Sequence, residues 1–296
     1  MKARIMWIGM LTFVIVIMNF TPIVASEKDV YYSKQVAVLV YHHLDPDVQG
    51  SVTITPKLFE RQLEALQRDG FMFISFDQFK RFKTQGADVP DNAVLITFDD
   101  GYESFATYAY PVLKRMRIPA VNFVITKDLD DPTAPKLHAL SKEEIKRIRA
   151  DFPKIEFQGH SDSLHQMQDG KPFLTNKLAQ QGVQETDDQF KSRISQDTQT
   201  MIAKLNELNA AREVNGYAYP YGSYDAQTIA LLQQAGIKFG FTTTNGITDF
   251  AGDPMQIPRI NAGSPYIRPY SICNLIKRAA RNEANGPQAG RHFHAS

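Results

Sequence analysis

Ala93-Val94-Leu95-Ile96-Thr97-Phe98-Asp99-Asp100-Gly101 is the stretch that decides the fold. Its first six residues are apolar or β-branched, as in a strand buried on both faces of a parallel sheet. Its last three are two carboxylates and a glycine, the residues of a turn at a strand's carboxyl end. Two adjacent acids there are costly unless something pairs with them. Neighbouring strand residues point to opposite sides, but a turn beside Gly101 lets both acids converge on one site. A metal explains the pair: one acid is neutralised as a ligand, and the other is left to take a proton from water. The plain alternative is a solvated Asp-Asp-Gly turn.

Outward from this stretch, strands and helices alternate. Gln35 to Tyr41 is a second buried run, ending in His42-His43. Thr55-Pro56 opens a helix that Gly70 closes. Phe71 to Phe76 is expected as a strand and Asp77 to Lys83 as a short helix. Tyr108 to Met116 is helical, with Pro111 in its first turns. Ala120 to Ile125 is a strand, and Ser141 to Glu144 forms a capping box for the next helix. Ile155 to Phe157 is a short strand leading to Gly159-His160. Gln166 to Asp188 is polar and weakly periodic, and is expected as a long loop. Helices follow at Phe190–Asn209, Asp225–Ala235 and Ser271–Arg281, with strands at Tyr217–Tyr219, Phe239–Thr243 and Gln256–Arg259. This order predicts an α/β fold of parallel β-α units, with function at the carboxyl ends of the strands.

The 296 residues suffice for one large domain or two small ones. With 43% hydrophobic and 22% charged residues, a sizeable core is expected. The formal net charge of +1 gives no nucleic-acid footprint. The single cysteine, Cys273, excludes an internal disulfide and a thiolate zinc site. Lys2 and Arg4 precede an apolar run from Ile5 to Phe20, and small residues Ala25-Ser26 follow. Residues 1–26 are therefore expected to be a signal peptide or an N-terminal membrane anchor, with the protein secreted or attached to the outer face of the membrane. Membrane contact is expected only through that segment, and the protein is expected to be a monomer. Residues 27–34 are expected to be a linker, 35–284 the working domain and 285–296 a disordered tail containing His292 and His294.

His160 and His165, five residues apart in His-Ser-Asp-Ser-Leu-His, are the candidates for further metal ligands. Two imidazoles, one carboxylate and an open position suit a catalytic zinc, although a lone histidine is also a common satisfied polar residue. Ala218-Tyr219-Pro220-Tyr221-Gly222 would give a rigid, ring-lined wall at a strand end, of the kind on which sugars stack, or else a turn with core tyrosines.

These pieces, in this order, resemble the NodB-type polysaccharide deacetylases, carbohydrate esterase family 4. Thr97 to Asp100 matches the family's first motif, His160-Ser161 with His165 its second, and Tyr219 to Gly222 its third. Val40 to Leu44, Ile54 to Pro56, Leu63, Gly70-Phe71 and Gly170 to Pro172 resemble the poly-N-acetylglucosamine deacetylase branch of biofilm systems. The resemblance implies a distorted (β/α) barrel and one divalent metal, usually zinc, with cobalt, nickel or manganese as substitutes. It implies Asp99 as general base, and Asp100, His160 and His165 as ligands. The Tyr221 backbone N–H, beside Pro220 and Tyr219, would stabilise the oxyanion. The substrate implied is an N-acetylated amino-sugar polymer, poly-β-1,6-N-acetylglucosamine first. Peptidoglycan or chitin-type chains, or an inactive carbohydrate-binding member of the fold, are the alternatives. Two family features are missing: an arginine before the third-motif proline and a late histidine. Arg259 is the candidate to replace the first. His42 or His43 is the candidate to replace the second or to bind substrate.

Overall fold

Parity along the strands separates the side chains that fill the barrel from those that face the helices. In this computed structural model, which describes residues 29–209 and 212–285, nine strands share one sheet. They are β1 (Gln35–Tyr41), β2 (Met72–Phe73), β3 (Ala93–Phe98), β4 (Ala120–Val124), β5 (Ile155–Gly159), β6 (Gly216–Ala218), β7 (Phe239–Phe241), β8 (Thr248–Asp249) and β9 (Ile260–Asn261). The order β7-β6-β5-β4-β3-β1 is parallel throughout. β2 pairs with the start of β3, and β8 runs antiparallel to the start of β1.

The segment from Ile257 to Asn261 touches both edges of this sheet. Ile257 bridges Phe241 in parallel, and the Arg259 N–H donates to the Thr244 carbonyl at 2.8 Å. β9 then pairs with the end of β1, Leu39 opposite Ile260. The sheet therefore curls into the distorted barrel that the family resemblance implies.

Inside it, Val36, Val38, Ala93, Leu95, Val121, Phe123, Ala218, Phe239 and Phe241 form one core. Helix α2 (Phe76–Gln85) contributes Phe76, Phe79 and Phe82 to that core. Three phenylalanines three residues apart lie on one helical face, and Phe76 and Phe79 close the amino end of the barrel against Phe239, with Phe76 also against Gly216. The alternate strand residues, among them Leu39, Tyr41, Ile96, Phe98 and Phe157, pack outward on the helix layer. That layer includes α1 (Pro56–Arg68), α3 (Tyr110–Met116), α4 (Lys142–Asp151), α5 (Asp187–Asn206), α6 (Ala226–Gln234) and α7 (Pro269–Asn285).

Several boundaries differ from the sequence expectation. The strand expected over Phe71–Phe76 is only Met72–Phe73. Ser75 and Gln78 form a capping box that starts α2 at Phe76. The loop expected over Gln166–Asp188 carries two small antiparallel pairs, Met167–Gln168 with Lys171–Pro172 and Ala179–Gln180 with Val183–Gln184. A π turn over Phe105–Ala109 precedes α3, and Pro111 falls in the helix's first turn, where no N–H is needed. The end of the expected linker is docked. Tyr32 is buried, its hydroxyl donating to the Ala93 carbonyl at 2.8 Å, and Asn92 accepts from the Tyr31 and Tyr32 N–H groups. Residues 1–28, which include the proposed signal or anchor, and the tail beyond Asn285 lie outside the described residues. Among the described residues no helix is long and apolar enough to cross a membrane.

Candidate active site

Parity carries Asp99 inward at the end of β3, His160 inward after β5, and His42 inward after β1. By the same rule Asp100 should point away. It does not, because its backbone turns to φ +72° and Gly101 follows at +73°. A side chain at Gly101 would place Cβ 3.0 Å from Val124 Cγ1 and 3.3 Å from its Cα, so the turn leaves room for glycine only. Ser161 and Tyr221, at the ends of two neighbouring strands, also have positive φ, +83° and +57°. Three non-glycine residues in this left-handed conformation thus stand where the side chains converge.

Asp99 lies almost wholly buried against Arg259. The guanidinium donates from Nη1 to Oδ1 and from Nη2 to Oδ2, each at 2.7 Å. Nε donates to the Thr242 carbonyl at 2.8 Å, and the guanidinium carbon sits 5.9 Å from the Phe123 ring centre. Burial works to raise the Asp99 carboxyl, but the Arg259 charge and fork overcome it and hold it below the usual carboxylate range. Asp99 therefore stays ionised.

Above this pair, Asp100 Oδ1 lies 3.2 Å from His160 Nε2 and 3.4 Å from His165 Nε2. The three side chains each offer one atom within 4.8 Å of the others. His160 Nδ1 is 2.8 Å from the Ala218 carbonyl. A carbonyl only accepts, so the proton belongs on Nδ1 and the Nε2 lone pair faces Asp100. Burial, and then the charge of His160, push His165 down to about 4, so its imidazole is neutral at neutral pH. Burial opposes a charge on His160, yet its contact with Asp100 and the nearby Asp99 raise its pKa. Two carboxylates against one guanidinium leave the centre short of positive charge. A divalent cation on these same three atoms would supply that charge. This donor set therefore fits zinc.

The remaining expected residues separate. His42 Nε2 is 3.9 Å from Asp99 Oδ2. His43 points to the other side of β1, its Nδ1 2.9 Å from Ser104 Oγ, so it does not join the centre. Tyr221 lays its ring 4.4 Å from that of His165 and donates its hydroxyl to the His165 carbonyl at 3.2 Å. Pro220 is buried, and Gly222 turns at φ +68° where a Cβ would meet Thr243 Oγ1. Tyr219 corrects the ring-lined wall: parity turns it into the helix layer, where it is buried, stacked on Tyr224 and bonded to the Met255 carbonyl at 2.7 Å. Sequence reasoning missed Asp197, whose carboxylate holds the loop between the two histidines. The available signal was an acid beside the buried stripe Phe190, Ile194, Thr198, Met201 and Leu205 of α5.

Comparisons with known proteins give matches of sequence and of fold. The family model described as polysaccharide deacetylase matches residues 86–240. A poly-β-1,6-N-acetyl-D-glucosamine N-deacetylase of Staphylococcus epidermidis is 28% identical over 210 residues, covering 70% of this chain and 67% of its own. Among solved structures, a de-N-acetylase from Aggregatibacter actinomycetemcomitans shares the fold with TM-score 0.73 at 21% identity, over 82% of this chain and all of the other. IcaB from Ammonifex degensii gives TM-score 0.68 at 25% identity, over 82% of this chain and 97% of the other.

Proposed function

This chain belongs to the polysaccharide deacetylase family, and we propose that it is an exported, metal-dependent N-deacetylase of poly-β-1,6-N-acetylglucosamine. The observation that carries this proposal is one carboxylate oxygen, Asp100 Oδ1, 3.2 and 3.4 Å from two imidazole Nε2 atoms, beside an ionised Asp99. The choice of polymer leans on the staphylococcal relative. Export leans on the apolar run Ile5 to Phe20.

Asp100, His160 and His165 would hold the metal. When bound, it would act as a Lewis acid on the acetamide carbonyl and lower the pKa of water. The chain's own residues do the rest. Asp99, fixed by the Arg259 fork, takes a proton as a water oxygen bonds to the acetamide carbon. The Tyr221 backbone N–H donates to the developing oxyanion, and Pro220 and the Gly222 turn fix where it points. The carbon–nitrogen bond then breaks as the leaving nitrogen gains a proton, giving acetic acid and a sugar amine, which ionise to acetate and an ammonium. His42, 3.9 Å from Asp99 and on the same side of the sheet, delivers that proton. His42→Gln is expected to lower kcat by roughly 100-fold at unchanged zinc stoichiometry. Unchanged kcat would remove His42 from the pathway.

The test of substrate is acetate release from matched β-1,6 and β-1,4 N-acetylglucosamine oligomers, followed before and after chelation. Faster release from the β-1,6 series, lost on chelation, supports the proposal. Faster release from the β-1,4 series would favour a peptidoglycan or chitin-type substrate. Bound zinc with no turnover on either would favour a carbohydrate-binding protein.

A further inference from the structure

His160 and His165 come from a single loop, and that loop is moulded by one face of α5. Asp197, Met201 and Lys204 are spaced four and three residues apart, so they line up along the helix. Asp197 Oδ1 accepts the Asp162 N–H at 3.0 Å, and Oδ2 accepts the Ser163 N–H at 2.6 Å. Met201 fills the space beside Gly159, where an added Cβ would lie 2.1 Å from its sulfur. Lys204 pairs with Asp162 at 2.9 Å, and Asp162 also accepts from Thr126 Oγ1 at 2.7 Å. The Thr126 and Lys127 N–H groups donate to the Ser161 and Asp162 carbonyls at 3.1 and 3.3 Å.

We propose that Asp197 is the positioning residue for the metal ligands, its two carboxylate oxygens fixing the Asp162-Ser163 backbone so that His165 returns to face His160. This rests on the metal site proposed above. Two successive backbone N–H groups aimed at one carboxylate require an acceptor at both of its oxygens. A neutral amide of the same shape has only one acceptor oxygen, so it sets a donor against a donor at the other. The Ser161 backbone, at φ +83°, is the strained link that such a clamp has to hold. Asp197 lies behind the loop on α5 and is not itself one of the three ligand groups, so its effect passes through loop geometry.

The test is zinc affinity, measured by competition with a chromogenic chelator, for the full chain and its variants. Asp197→Asn is expected to weaken zinc binding by about 10- to 100-fold, the usual cost of losing an outer-shell partner. Saturating zinc should restore kcat to near the wild-type value. Thr198→Ala is the control for simple loss of helix stability. Its hydroxyl donates only within α5, to the Ile194 carbonyl at 2.8 Å, so melting should fall without a change in zinc affinity. Wild-type zinc affinity in Asp197→Asn, or equal weakening in Thr198→Ala, would overturn the assignment. If Asp197→Asn does not fold, amide exchange in the wild type decides. Slow exchange at Asp162 and Ser163 supports the clamp, and exchange at the unprotected rate removes it. A wild type that binds no zinc would instead bring down the metal site itself, and this inference with it.

Discussion

Asp99→Asn is expected to lower kcat/KM on an acetylated oligomer by about 1000-fold while zinc still binds. General-base catalysis contributes roughly 100- to 10,000-fold, and no other ionised carboxylate stands beside both Asp100 and His42 among the described contacts. The substitution has a second consequence. Arg259 is wholly buried and both its terminal nitrogens bond to Asp99, so an asparagine leaves a guanidinium without its counter-charge. The melting temperature should therefore fall as well, and activity has to be compared on protein shown to be folded. Zinc stoichiometry near one with activity reduced a thousandfold separates base loss from ligand loss. His165→Ala should do the opposite and lose the metal. Full activity in folded Asp99→Asn would remove the base assignment.

Arg259→Met is expected to destabilise the fold by about 3–5 kcal/mol, the usual cost of breaking a buried ion pair from one side. The methionine fills much of the space above Phe123, so cavity formation is a minor part of that cost. The larger part is Asp99, left buried beside Asp100 without its counter-charge. Arg259→Lys keeps the charge but not the fork. A lysine cannot bond both carboxylate oxygens and the Thr242 carbonyl in one plane. It should retain more stability than the methionine variant and still lose activity, because Asp99 is no longer held at one angle. Chemical denaturation of the two variants checks the order. Equal stability of Arg259→Met and wild type would show that the pair does not organise the barrel.

Much of the site was legible because strand parity and motif spacing are local. The run from Ala93 to Phe98 specified a buried strand, and its inward positions carried Asp99 to the barrel interior. The same rule, applied to β1, separates His42 from His43: Val36, Val38 and His42 share a side, and His43 falls opposite. It also turns Tyr219 away from the site, since Ala218 is the inward residue of β6. Aromatic content suggested a sugar-facing wall there, but composition does not say which side of a strand a ring occupies. Asp100 shows the limit of parity, because only its left-handed backbone brings it beside Asp99.

What could not be read depends on pairing between distant segments. The sequence names Arg259 as the candidate for the arginine missing near Tyr219, but not the route by which it reaches Asp99 from 160 residues away. Arg259 does so because Ile257 to Asn261 joins β7 to β1 and closes the sheet. Nothing local to Ile257-Pro258-Arg259 announces that closure. Asp197 is hidden for a related reason. Its partners are backbone N–H groups, which leave no mark in a sequence. The helix start was clearer: Thr186 and Gln189 form a capping box ahead of α5.

The most direct test of the central claim is a zinc titration of the chelated protein, reading acetate release from a β-1,6 N-acetylglucosamine oligomer at each addition. The predicted result is no release at the start, then activity rising to a plateau at one zinc per chain, and neither rise nor binding in His165→Ala. Acetate release that is undiminished in the metal-free protein, or unchanged by His165→Ala, would contradict it.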